Sequence, residues 1–304
     1  MPKCVALGKS RRYKAWLMDE ILTSSWKEVE QVIENALAED LASSDVTTNA
    51  LIPPDLEGRA SILVKEDGVL AGIEVTQAVF QHVDPALRVE VLIKDGTTIR
   101  KGDVVATIAG KVASILMAER TALNFLCHLS GIATGTARYV EAIKSLKAQI
   151  TDTRKTTPGM RVLEKYAVRM GGGQSHRHHL GDWVLIKDNH LAALGSLGQG
   201  LKGAIEWARR GSTLKVEVEV GSVDEAEEAM SAGADIVMLD NMALGEIKKV
   251  VDLARGRALI EASGGITLEN VRQVAGAGVD LISVGAITHS AEALDLSLEL
   301  EPGR

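Results

Sequence analysis

Positive charge gathers at a few places in a chain that is acidic overall. Arg154 and Lys155 follow the apolar run Ala148-Gln149-Ile150. Arg177 sits in the loop opened by Gly171-Gly172-Gly173, and Lys187 follows Trp183-Val184-Leu185-Ile186. Any one of these on a solvated surface is ordinary. Brought to one mouth, they would grip a polyanion, with arginine suited to bidentate contact with carboxylate or phosphate. Glu219, in Val216-Glu217-Val218-Glu219, and Asp240, after Ile236-Val237-Met238-Leu239, stand at comparable run ends. Carboxylates in a basic mouth can hold Mg²⁺ beside substrate phosphates, stabilise a developing cation, or balance charge. The last two apolar runs end in Ser263-Gly264-Gly265-Ile266 and Val284-Gly285-Ala286-Ile287-Thr288. Backbone N–H groups of such turns, with a helix N-terminus behind them, suit a phosphate; two plain tight turns are the simpler alternative.

Other chemistries fit less well. His176, His178, His179 and His190 have no cysteine or carboxylate at a recognised zinc spacing. Neither Cys4 nor Cys127 has the context of a nucleophile, and no G-x-S-x-G element is present. The glycines at 171–173 lack the surroundings of a dinucleotide fingerprint.

The elements that must position these residues follow a regular grammar after residue 148. Apolar strands at 148–150, 183–186, 216–218, 236–239, 258–260 and 281–284 alternate with helical segments. Several of those segments stop at glycine, at Gly171, Gly211, Gly233, Gly256 and Gly278. Ser222 with Glu225 forms a capping box. Such alternation means parallel β/α units, whose chemistry sits at the carboxyl ends of the strands. A closed eight-unit barrel takes about 250 residues, and about 150 are available, so an incomplete barrel of about six strands is expected.

Upstream the pattern differs. A helix begins near Ser25, with Ser25 and Glu28 as a capping box, and ends at Glu39-Asp40. Runs at 60–64, 89–93 and 104–108, the last stopped at Gly110, read as strands, with a modest helix near 74–82. This is a small α+β domain with a largely antiparallel sheet. A long helix then passes through Met117–Leu126, with Arg120 at the edge of the face made by Leu116, Leu123 and Cys127.

The chain has 304 residues, 46% of them apolar, and a net charge of −7. A sizeable core can form, and the acidic balance argues against nucleic acid as the main partner. Two cysteines do not make a secreted scaffold. No apolar run reaches the roughly 18–20 residues of a membrane span. The N-terminus is basic without the apolar core of a signal peptide, so a cytoplasmic protein is expected. Residues 1–17 fit no folding pattern, and Met18 is a candidate start.

Glu119-Arg120-Thr121-Ala122-Leu123-Asn124-Phe125-Leu126, then Leu129-Ser130-Gly131-Ile132-Ala133-Thr134, resembles the central helix of quinolinate phosphoribosyltransferases, the carboxylating nicotinate-nucleotide pyrophosphorylases. Asp152-Thr153-Arg154-Lys155-Thr156-Thr157-Pro158-Gly159 resembles their most characteristic motif. Gly171-Gly172-Gly173 with His176-Arg177, Leu185-Ile186-Lys187-Asp188-Asn189-His190, Val216–Val220, Leu239-Asp240-Asn241, Ala262–Ile266 and Ser283-Val284-Gly285 continue it in order. The resemblance runs from about Ala36 to Leu298, nearly the whole chain.

The resemblance implies an α/β protein in two domains. An N-terminal α+β open-faced sandwich takes residues 26–135 and the tail 290–304, and an incomplete α/β barrel takes 136–289. Residues 1–25 form an extension. It implies transfer of ribose 5-phosphate from phosphoribosyl pyrophosphate to quinolinate. Decarboxylation gives nicotinate mononucleotide, CO₂ and pyrophosphate in NAD biosynthesis, with Mg²⁺ required. It implies a homodimer with shared sites, in which Arg120 reaches the partner's pocket, and in some members larger assemblies of dimers. Carried over, Arg120, Arg154, His176, Arg177 and Lys187 grip quinolinate carboxylates, with Thr153 beside them. Lys155 neutralises leaving charge near the ring or pyrophosphate. Glu219 and Asp240 face the ribose, through Mg²⁺ or an oxocarbenium-like transition state. Ser263, Gly264, Gly265, Val284, Gly285 and Ala286 take the 5-phosphate. Lys155, Glu219 and Asp240 are thus the implied catalytic residues.

The departures are mild. Ser43-Ser44-Asp45 lacks a usual glycine in what reads as a surface turn, and Cys127-His128 replaces more usual polar residues. Three rivals stand beside this reading. A nicotinate-using transferase of the same fold needs fewer cations. A Schiff-base aldolase on Lys155 or Lys187 wants a charge-poor pocket. A non-catalytic relative would have no need of the charged strand ends.

Overall fold

The computed structural model describes residues 20–40 and 44–301, with side chains from Trp26 onward in the first helix. Cys4, Met18 and Ser43 lie outside the described residues. The first helix, α1, spans Glu20–Glu39, so Ser25 lies inside it and does not cap its start. Nothing in Glu20–Thr23 breaks a helix, and the helical run extends back through it. Val29 and Ile33 of α1 are fully buried. The segment at Asp45 is more than a surface turn. Asp45 caps α2 (Val46–Leu51), accepting from the Thr47 and Thr48 N–H groups at 3.0 and 2.9 Å.

Next come β1 (Glu57–Val64), β2 (Gly68–Val69), α3 (Ile73–Val83), β3 (Arg88–Val91), β4 (Thr98–Ile99) and β5 (Val104–Lys111). Period-two alternation turns Ala60, Ile62 and Val64 of β1 into the core, all fully buried. The strand expected to stop at Gly110 continues through it, because Gly110 faces Gly58 across the ladder and the pair stays in register. The tail strand Leu296–Glu301, β12 in chain order, pairs antiparallel with β1. The sheet order is β12-β1-β5-β3, all antiparallel.

β5 runs directly into α4, Val112–Ala142, a helix of 31 residues. Ile115, Ala118, Ala122, Leu126 and Leu129 recur at helical spacing and are buried, while Arg120 stays exposed. Asp95 joins the two halves of the molecule. Its carboxylate accepts from the Gly72 and Ile73 N–H groups at the start of α3, at 2.8 and 3.1 Å. It also accepts from the hydroxyl of Tyr166 at 2.7 Å.

The C-terminal half contains β6 (Gln149–Thr151), α5 (Arg161–Met170), β7 (Val184–Ile186), α6 (Asp188–Gly195) and α7 (Leu201–Gly211). It continues with β8 (Val216–Val220), α8 (Val223–Ser231), β9 (Ile236–Asp240), α9 (Leu244–Ala254), β10 (Leu259–Ser263), α10 (Val271–Gly276), β11 (Leu281–Ser283) and α11 (Ala286–His289). The six strands pair in parallel in the order β6-β11-β10-β9-β8-β7. Among the described residues β6 and β7 do not pair, so the barrel is open there. A lone bridge, Thr151 to Gln174, occupies the free side of β6. The Ser222 capping box is half formed. The Ser222 hydroxyl accepts from the Glu225 N–H, but the Glu225 carboxylate accepts from Gly221. Among the described residues, no helix is long and apolar enough to cross a membrane.

Candidate active site

A cavity of about 790 Å³ opens at the carboxyl ends of the parallel strands. Every residue assigned to the site from the sequence lines it, apart from Arg120. Arg120 is exposed on α4 and does not line this cavity.

The first wall is cationic. Thr153, Arg154 and Lys155 follow β6, and His176 and Arg177 lie in the loop between α5 and β7. Arg177 is only 6% exposed, yet its one hydrogen bond among the described residues goes to the Trp183 carbonyl at 3.4 Å. Burial pulls the Arg177 guanidinium down, Glu217 opposes this, and the charge on Arg154 adds to the fall. The Arg154 Nε is buried without an acceptor. Among the described residues Arg154, Lys155 and Arg177 make no ion pair. Cations held in this way are set for an anion that is not part of the chain. Lys187 is the exception, with its Nζ 2.5 Å from the Glu219 carboxylate.

The Lys155 loop is held at both ends. Its N–H donates to the Thr153 hydroxyl at 3.0 Å, and its carbonyl accepts from the Thr288 hydroxyl at 2.8 Å. Gly285 lets this loop come close, since a Cβ there would sit 3.3 Å from the Lys155 side chain and 3.1 Å from the His289 ring.

The second wall is a pair of turns. Gly264 (φ +85°) and Gly265 (φ +60°) follow β10, and Gly285 and Ala286 follow β11. Among the described residues the N–H groups of Gly264, Gly265 and Gly285 have no backbone acceptor. The expected run of the first turn straight into a helix is not found. α10 begins only at Val271, and α11 is four residues long. The donors here are turn amides.

Glu219 and Asp240 stand on adjacent strands between these walls. Asp240 accepts from the Asn241 side chain at 3.1 Å, and Asn241 itself adopts a left-handed backbone (φ 53°). Behind the cationic wall lies a buried clamp. Lys165, from α5, donates to Asp152 at 2.5 Å and to the His176 carbonyl at 3.2 Å, while Asp152 accepts the His176 N–H at 2.8 Å. Both charged side chains are completely buried.

The profile of the quinolinate phosphoribosyl transferase N-terminal domain matches residues 45–130, and that of the C-terminal domain matches 132–299. The chain belongs to the quinolinate phosphoribosyl transferase family. A mitochondrial quinolinate phosphoribosyltransferase [decarboxylating] of Nicotiana tabacum is 40% identical over 291 residues, covering 90% of this chain and 82% of its own. A nicotinate-nucleotide pyrophosphorylase [carboxylating] of Mycobacterium leprae is 42% identical over 274 residues, covering 88% and 95%. The solved structure of the nicotinate-nucleotide pyrophosphorylase from Francisella tularensis superposes with a TM-score of 0.88 at 38% identity, over 93% of this chain and all of that one.

Sequence reasoning gave no role to several residues at this family member's site, four of them able to bear charge or hydrogen bonds beside the assigned groups. Asn241 and His289 line the cavity beside the phosphate turns. Glu261 lines its floor, and Glu217 lies just behind. The signal for the two acids was available. Each is a carboxylate inside an apolar strand of a parallel sheet, where burial without a partner is rare.

Proposed function

We propose that this protein transfers ribose 5-phosphate from phosphoribosyl pyrophosphate to the ring nitrogen of quinolinate. The C2–carboxylate bond then breaks, its electron pair stays on C2 beside the positive ring nitrogen and takes a proton from solvent, giving nicotinate mononucleotide, CO₂ and pyrophosphate for NAD synthesis. The observation that carries this reading is that Arg154, Lys155 and Arg177, without an ion pair among the described residues, line one cavity together with two turns whose amides have no backbone acceptor there. A dicarboxylate beside a phosphorylated sugar meets both walls at once.

In this reading Arg154, Arg177, His176 and Lys187 hold the quinolinate carboxylates and fix the ring nitrogen toward C1 of the ribose. The Ser263–Gly265 and Val284–Ala286 turns hold the 5-phosphate. Lys155, on its pinned loop, neutralises the leaving pyrophosphate. Glu219 and Asp240 face the positive charge that develops on the ribose as the bond to pyrophosphate lengthens. The same two carboxylates suit Mg²⁺, which takes oxygen ligands from one or two side chains and the rest from water and phosphate. Bound there, Mg²⁺ would draw negative charge from the pyrophosphate. Glu219 would share its oxygens between the ion and Lys187.

Arg120 fits a homodimer in which it enters the neighbour's cavity. Mixing and reassociating Arg120→Ala and Lys155→Ala proteins, each inactive alone, is then expected to restore about a quarter of the wild-type activity, because half the dimers carry one intact site. No recovery after subunit exchange would place Arg120 outside the site. Cys127 is a free thiol, which suits the cytoplasm we propose.

The deciding assay supplies quinolinate, phosphoribosyl pyrophosphate and Mg²⁺ and follows nicotinate mononucleotide and CO₂ together. Equal amounts of both, lost in Arg154→Ala, support the reading. Product from nicotinate alone would indicate a transferase that does not decarboxylate.

A further inference from the structure

Beneath the basic mouth lie two acids with no part in the reaction as described so far. Glu217 on β8 and Glu261 on β10 are fully buried, and both face the imidazole of His176. The His176 Nε2 is 3.2 Å from Glu217 and 3.5 Å from Glu261. The Trp183 indole N–H donates to Glu217 at 2.6 Å, and its ring packs on His176 with centroids 4.9 Å apart. Glu261 has no well-formed hydrogen bond among the described residues, although it lines the cavity floor. A buried carboxylate in that state calls for a cation.

The main chain of His176 is equally constrained, by Asp152 at its N–H and Lys165 at its carbonyl. With Nε2 turned to the two carboxylates, Nδ1 is the nitrogen left for the cavity that His176 lines. We propose that Glu217 and Glu261 are positioning residues that keep His176 a locked imidazolium, so that its remaining N–H meets a quinolinate carboxylate as a charged donor across neutral pH. The inference rests on quinolinate being the substrate.

The charge balance agrees. Burial favours the neutral ring, but the two carboxylates together overcome it and push His176 up to about 9. The groups facing the ring are Glu217, Glu261 and Trp183, with Asp152 and Lys165 at the backbone. Glu261 is itself pushed up by burial and by the Glu217 charge, so both acids compete for one cation. The same atoms lie within 4.8 Å of one another, close enough to chelate a metal ion. The Trp183 N–H already uses a Glu217 oxygen that a chelated ion would have to share.

The test reads the imidazole directly. Full-length protein with labelled histidine is titrated by NMR without ligand, and the His176 signal is assigned from a His176→Asn variant. The expected midpoint is about 9 in the wild type, falling by a unit or more in Glu217→Gln and in Glu261→Gln. Quinolinate affinity is then measured by calorimetry in the same proteins. In a variant whose His176 has returned to the ordinary value of about 6.5, affinity falls roughly 30-fold against wild type at about pH 8, and less than about twofold at about pH 6. Recovery at low pH is not expected of a merely structural role. A wild-type midpoint at or below about 6.5, equal losses at both pH values, or a chelator-sensitive divalent ion co-purifying with the trio would each overturn the proposal. If the wild type binds no quinolinate, the substrate reading fails, while the NMR titration still decides the charge on His176.

Discussion

Removing one partner of the buried Lys165–Asp152 pair tests the electrostatics of the site most sharply. Both side chains are completely buried, and their contact is 2.5 Å. Burial pushes Asp152 up and Lys165 down, each against the attraction of the other. Desolvation is therefore the larger influence on both groups, and the pair as a whole contributes little net stability. Breaking it is another matter. Lys165→Met leaves the Asp152 carboxylate charged in a dry site, and it leaves the His176 carbonyl without its donor. The expected loss is about 3–5 kcal/mol. The double variant Asp152→Asn with Lys165→Met removes both charges, and the Asn side-chain oxygen can still accept the His176 N–H. It is expected to recover at least about half of that loss. Urea unfolding of the wild type, both single variants and the double variant completes the cycle, with the coupling energy read directly. A loss below about 1 kcal/mol for Lys165→Met, or a double variant no better than the single, would refute the account of a desolvated, mutually dependent pair.

Further consequences follow from the turns and from the loop beside the site. A Cβ at Gly264 would collide with the Asn241 side-chain amide, whose Cγ would be 2.5 Å away, on a backbone with φ +85° that disfavours any other residue. Gly264→Ala is expected to lower stability by about 1–2 kcal/mol and to raise the KM for the phosphorylated donor tenfold or more, with equilibrium quinolinate binding little changed; steady-state kinetics and calorimetry separate the two. Burial, with the nearby charges of Lys165 and Arg169, holds His178 down to about 4. Its unfolded counterpart titrates near 6.5, so its contribution to stability is full above that value and is lost as pH falls toward about 4. Thermal unfolding at pH values across that window should show the decline, and a His178→Asn variant should flatten it.

Much of the site was legible because it lies at strand ends. A parallel β/α array announces those ends by an apolar run followed by polar or glycine residues, and Arg154, Lys187, Asp240, Ser263 and Gly285 all stand there. What was not legible depends on contacts across the fold. Val216-Glu217-Val218-Glu219-Val220 shows acids inside an apolar strand but not the groups they meet. In the open barrel its alternate face is an interior that Glu217 shares with His176. Glu164 and Lys165 look like solvent residues of a helix, but α5 packs under the site loops and buries both. The start of α1 and the passage of β5 through Gly110 were missed for a related reason. Local capping and turn signals were outweighed by continuation of the helix and by register with Gly58.

The distribution of charge around the cavity suggests why a histidine stands among arginines and lysines. A lysine or arginine that closes on a ligand must give up rotamer freedom, about 2 kcal/mol for a long side chain. His176 has already given it up, since its ring is held by Glu217, Glu261 and Trp183 and its backbone by Asp152 and Lys165. Arg177 is fixed in a similar way by its burial. Lys155 keeps an exposed end and can follow charge that moves during the reaction. A group that binds the carboxylate the ring keeps is best rigid, and a group that meets the departing pyrophosphate is best mobile. That division needs acids behind the rigid cation, because burial alone would discharge it. The buried carboxylates beneath a basic mouth are therefore what allows a preorganised cation to exist there at neutral pH.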